Sequence, residues 1–124
     1  ILHICGNTLD RMGYIAQSGM AMFHFDSKND PQKAMDIVDG RIGLVGNINN
    51  PETLFSKGPE VVREEVYGNL EAGVPLVGPE CAIPLQTSIE NLREIPLAVR
   101  DWHREKDQAQ TEPAGSNEPS RPAN

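Results

Sequence analysis

Cysteine is scarce in this 124-residue chain: there are two in all, and they do not form a C-x-x-C pair. That excludes a disulfide-stapled secreted scaffold and the commonest structural zinc knuckle. A reduced, cytoplasmic setting is expected instead, where two distant thiols are metal-binding or inert. Basic residues are the minority too, with 11 Lys and Arg against 18 Asp and Glu and a net charge of −7. No nucleic-acid partner is expected, because such a surface needs a basic patch to displace phosphate counterions. No apolar run approaches the ~20 residues that span a bilayer. No basic segment leads into an apolar one, as a secretory signal would. No membrane partner is therefore expected. Aromatic residues are only 5% of the chain and hydrophobic residues 38%, enough for one lean core.

What is present is an alternation of short apolar runs with amphipathic stretches. Ile1–Ile4 reads as a buried strand. Because residue 1 is Ile rather than Met, the N-terminal part of a longer protein is expected to precede it. Leu9, Met12, Ile15 and Ala16 recur at helical spacing, and Ser18-Gly19 supplies a stop. Met22–Phe25 is a second strand. Asp30-Pro31 opens a helix as N-cap and first helical residue, with Ala34, Ile37 and Val38 inward and Asp39-Gly40 at its end. Ile42–Val45 is a third strand. Asn50-Pro51 starts a helical turn, and Gly58-Pro59 starts a helix carrying Val62, Val66 and Leu70, stopped by Gly73. Pro75–Val77 is a weak fourth strand, since Pro75 lacks a donor. Thr87 followed by Glu90 reads as a capping box for a last helix, which Pro96 is expected to kink or split. From Lys106 onward the composition turns polar, and residues 106–124 are expected to form a disordered tail.

Strand and helix thus recur four times at βαβ-sized intervals. The strands are almost wholly apolar, as in a parallel sheet covered on both faces. A small doubly wound sheet and one half of an eight-stranded barrel both fit this α/β pattern.

His3-Ile4-Cys5 is the sharpest chemical signal. Residues i and i+2 of a strand share a face, so His3 and Cys5 point the same way at the strand's C-terminal end. In parallel α/β folds that end carries ligands and catalysis. Cys81 follows the fourth strand and Asp26 the second, so all four reach one mouth. An imidazole and two thiolates with one open position is a catalytic zinc arrangement. The competing reading makes Cys5 and Cys81 small buried hydrophobes and His3 a hydrogen-bonded core residue. Gly46-Asn47 follows the third strand, where Asn47 could bind substrate or simply form a turn. Glu80, beside Cys81, could be an acid/base, a hydrogen-bond acceptor to a ligand, or a solvated charge. His24 reads as core or interface, and His103 as surface.

Leu2-His3-Ile4-Cys5-Gly6-Asn7, Leu44–Pro51 and Gly78-Pro79-Glu80-Cys81-Ala82-Ile83-Pro84-Leu85 together resemble the uroporphyrinogen decarboxylase-like superfamily. Within it the resemblance is to the zinc-dependent methylcobamide:coenzyme M methyltransferases and their bacterial corrinoid-dependent relatives. It covers about residues 1–105 and implies the C-terminal half of a (β/α)8 TIM barrel. It also implies zinc on His3, Cys5 and Cys81. Asp26 lies where a carboxylate, more usually Glu, completes the coordination without substrate. The implied chemistry is methyl transfer from a methylcorrinoid, supplied by a partner corrinoid protein, to a thiol such as coenzyme M or to tetrahydrofolate. The metal-free decarboxylases lack the His-x-Cys…Cys set. Half a barrel leaves two sheet edges open. Alone it is expected to be marginal, to form a homodimer, or to act as a non-catalytic module.

Overall fold

Alternate residues of a strand serve opposite faces of a sheet, and here the two faces meet different surroundings. A computed structural model describes residues 1–111. Strands β1 (Leu2–Ile4), β2 (Met22–Phe25), β3 (Gly43–Ile48) and β4 (Leu76–Pro79) form one sheet in the order β1-β2-β3-β4, and every pairing is parallel. Between them run α1 (Met12–Ile15), α2 (Pro31–Val38) and α3 (Pro59–Glu71), and α4 (Ile89–Thr111) closes the described chain. Phe23, Phe25 and Leu44 point to the helix side and are fully buried against Met12, Ala34 and Val38. A second cluster joins the end of β3 to α3 and α4 through Ile48, Leu54, Val62, Val66, Ile95 and Ala98. Fully burying a Phe or Leu stabilises by about 1.5–3 kcal/mol. The opposite face carries His3, which is exposed, and Leu76, which keeps 51% of its surface in solvent. Strands in sequential order with helices on one face only are a segment of a (β/α)8 barrel, and the doubly wound alternative is excluded.

Local signals explain most boundaries. Asp30 caps α2 by accepting the Lys33 N–H at 2.8 Å, and Pro31 occupies the first turn. Asp39 ends the helix in the left-handed conformation, with φ of 45°. β4 starts after Pro75 and ends on Pro79, which an edge strand tolerates because one side of its ladder is unpaired. Arg63 ties α3 to α4 by donating to Glu94 at 2.5 Å and Asp101 at 3.1 Å.

Several expectations are corrected. The first helical segment is a 3-10 turn, Leu9–Arg11, followed by one α turn. β3 runs on to Ile48 and takes in Gly46-Asn47, because the Asn47 amide donates to main-chain carbonyls and not to a turn of its own. The next turn is capped by Asn49, whose side chain accepts the Glu52 N–H, one residue before the expected Asn50. The cap of α4 is Ser88, which accepts the Asn91 N–H at 3.2 Å, while the Thr87 hydroxyl is buried without a partner. Pro96 neither splits nor ends α4, whose 23 residues run through it. Its ring lies on the exposed side of the helix, where only one backbone bond is forfeited. Helix also replaces the expected tail as far as Thr111, and the rest of that tail lies outside the described residues.

Candidate metal centre

The C-terminal ends of the four strands form a rim, and asparagines and carboxylates stitch its loops together. Asn29 is fully buried. It donates to the Gly6 and Asp26 carbonyls at 3.0 and 2.9 Å and accepts the Thr8 N–H at 2.8 Å. Asn47 donates to the Asp26 and Asn29 carbonyls at 3.1 and 2.8 Å. Glu80, 5% exposed, accepts the Ser27 N–H at 2.8 Å and the Asn50 N–H at 2.9 Å. Asn50 in turn donates to the Cys81 and Ala82 carbonyls, each at 3.0 Å. Buried polar groups paired in this way order a rim instead of destabilising it.

His3 and Cys5 meet on the inner face, with His3 Nε2 3.1 Å from Cys5 Sγ. His3 Nδ1 lies 2.9 Å from the His24 carbonyl oxygen. A carbonyl only accepts, so Nδ1 carries the proton and Nε2 presents its lone pair toward the sulfur. That is the orientation a metal-ligating histidine takes when its other nitrogen is held by a carbonyl. Cys81 is near enough to Cys5 for that residue to perturb its thiol. Burial pushes the Cys81 thiol above its ordinary range; the Ala82 N–H pulls it down, while the nearby Cys5 and Glu80 push it further up. Without a cation, the Cys81 sulfur is therefore best held as a thiol.

Zinc suits this donor set. One imidazole nitrogen and two sulfurs are its preferred ligands, and bond lengths near 2.0 and 2.3 Å set tetrahedral N···S separations of roughly 3.6 Å. The His3–Cys5 pair is close to that spacing. Among the described residues, however, no three His, Cys, Asp or Glu side chains already converge on one metal position.

Asp26 is occupied differently. Its carboxylate accepts the Gly6 and Lys28 N–H groups, each at 2.9 Å, and abuts Glu80. Burial raises its pKa, but these hydrogen bonds outweigh burial and hold it below the usual carboxylate range. Glu80 and Asn47 likewise use the polar atoms described above to hold loops. The sequence reading passed over Asn29, gave Asn50 only the start of a helical turn, and read His24 as core or interface. Asparagines after each of the first three strands were the available signal for the first two. His103 is exposed and packs edge-on to Trp102, away from the rim. Among the described residues no helix is long and apolar enough to cross a membrane.

Known proteins are similar to this chain in sequence and in fold. A methylcobamide:CoM methyltransferase of Methanosarcina acetivorans is 33% identical over 102 residues, covering 82% of this chain and 30% of that protein. One from Methanosarcina barkeri is 30% identical over the same coverage. A methylated-thiol–coenzyme M methyltransferase of Methanosarcina mazei is 28% identical over 101 residues, covering 82% of this chain and 27% of that protein. A solved methyltransferase from Methanosarcina mazei superposes with a TM-score of 0.79 at 28% identity, covering 82% of this chain and 31% of that one. The chain thus spans less than a third of the length of these relatives. The family model for uroporphyrinogen decarboxylase (URO-D) matches residues 1–102. With that match running across all four strands and well into α4, the chain belongs to the uroporphyrinogen decarboxylase (URO-D) family.

Proposed function

We propose that this chain carries the zinc-binding rim of a methyltransferase, which moves a methyl group from a methylated corrinoid protein to a small thiol of the coenzyme M type. One observation carries the reading: His3, with its proton held on Nδ1, turns Nε2 to the Cys5 sulfur at 3.1 Å, and Cys81, from the other end of the sheet, lies near enough for Cys5 to perturb its thiol. The names of the relatives supply the methylcobamide donor and the thiol acceptor. Tetrahydrofolate is the other acceptor in view, and the remainder of the barrel would select between them.

His3, Cys5 and Cys81 would hold the zinc. Bound there, it would supply Lewis acidity that keeps an acceptor thiol deprotonated and nucleophilic at neutral pH. Cys5 and Cys81 lose their protons when they bind, so metal uptake weakens as pH falls. His3 would offer Nε2, with its Nδ1 proton held by the His24 carbonyl. Asp26 and Glu80 keep the loops of β1, β2 and β3 in register beneath the sulfurs. Asp26 could add a fourth donor through the lone pairs that its two N–H partners leave free.

Metal analysis of the purified chain tests the reading. About one zinc per chain is expected, and Cys81→Ala is expected to lower zinc affinity by at least about tenfold. Unchanged zinc content and affinity in Cys81→Ala would overturn it. Porphyrinogen turnover without metal would favour a decarboxylase instead, a reading that leaves the two facing sulfurs without a purpose.

A further inference from the structure

Pro79 ends β4 and Cys81 follows two residues later, so whatever holds Pro79 also helps set where the second sulfur lies. His24, on β2, holds it. His24 Nε2 lies 2.7 Å from the Pro79 carbonyl oxygen, joining residues 55 apart in the chain. The carbonyl can only accept, so His24 donates. The bond crosses over β3, which separates β2 from β4. Neighbouring strands lie about 4.8 Å apart, so the reach is about 10 Å from strand to strand. Ser or Asn would fall short of that distance.

The same residue secures the other half of the site. Its main-chain carbonyl accepts the His3 Nδ1 proton at 2.9 Å. Its ring lies against the His3 ring, with centroids 4.6 Å apart and planes tilted by 45°. We infer that His24 is a positioning residue: through its ring and its own carbonyl it locks the Cys81 loop and the His3–Cys5 strand into one rim, so that the two sulfurs face each other. The purpose of this clasp rests on the zinc reading above, but its geometry does not. Asn50 and Glu80 also restrain the Cys81 loop, so losing the His24 ring displaces the loop without unfolding the sheet.

With only two cysteines in the chain, their juxtaposition can be read without metal. The reduced, metal-free full chain is equilibrated with a glutathione redox buffer. Cys5 and Cys81 give up two protons and two electrons to form a disulfide, and glutathione disulfide is reduced to two thiols. The equilibrium position gives the effective concentration of one cysteine at the other. His24→Ala is expected to lower it about tenfold, the loss of one well-placed hydrogen bond. His24→Gln, which keeps both reach and donor, is expected to restore most of it. Arg63→Ala loosens α3 from α4 far from the rim and is expected to leave it unchanged. A His24→Ala value equal to wild type overturns the inference. So does an equal fall in Arg63→Ala, which would make the effect general loosening, or a wild-type pair that forms no disulfide. Zinc affinity measured in parallel separates the two proposals. A wild-type chain that binds no zinc removes the functional reading, while the thiol equilibrium still decides the role of His24.

Discussion

The two faces of the sheet are built to different ends from the same four strands. On the helix side Phe23, Phe25 and Leu44 are shut away from solvent, and shape and volume govern every neighbour. On the inner side His3, Cys5 and His24 are exposed or half-buried, and hydrogen bonds govern. Since side chains alternate, a residue on one face is next to a residue on the other, yet the two should respond to substitution in opposite ways. Stability belongs to the covered face and chemistry to the open one.

The largest test of this division is Phe25→Ala. It empties a fully buried site and is expected to cost about 3–5 kcal/mol, measured by urea unfolding. A loss below 1 kcal/mol would mean that the covered face is not the source of stability. Next is Gly46→Ala, where the faces come closest to conflict. Gly46 has a φ of +135°, and a Cβ there would sit 2.7 Å from the Phe25 carbonyl oxygen. A cost of about 1–3 kcal/mol is expected, with displacement of β3 visible as a drop in zinc affinity as well. Cys5→Ala sharpens the comparison from the other side. Metal-free stability is expected to stay within about 0.5 kcal/mol of wild type while zinc affinity falls steeply. A matching loss of stability would tie the open face into the core. The smallest effect is Asp101→Asn. The Arg63 N–H groups hold the Asp101 carboxyl below its ordinary value of 3.8. Its contribution is therefore fully present above that value and is lost as pH falls through the lower folded value. Wild type is expected to lose slightly more melting temperature than the variant between pH 5 and pH 2, with the rim playing no part.

Sequence reading works where the governing contact is local. Asp30-Pro31 announces α2 because cap and first turn lie side by side, and Met22–Phe25 announces β2 through an apolar run interrupted only by His24. It fails where the deciding partner is remote. Gly46-Asn47 has the composition of a turn, but carbonyls from the β2 loop draw it into the strand. Glu80 beside Cys81 has the composition of a catalytic acid, yet its oxygens are taken by N–H groups more than 25 residues away. The His-x-Cys pair was legible because period two alone puts both side chains on one face. That Cys81 comes near Cys5 depends on the order of the strands. His24 gave no local sign of its role, since both of its partners lie on other strands.

The bond from His24 to Pro79 has a consequence during synthesis. As the chain leaves the ribosome, the His3–Cys5 strand precedes β4, and Pro79 emerges 55 residues after His24. On the proposed zinc reading, His3 and Cys5 alone of the three donors precede β4. Tight capture would then wait until β4 docks and His24 clasps Pro79.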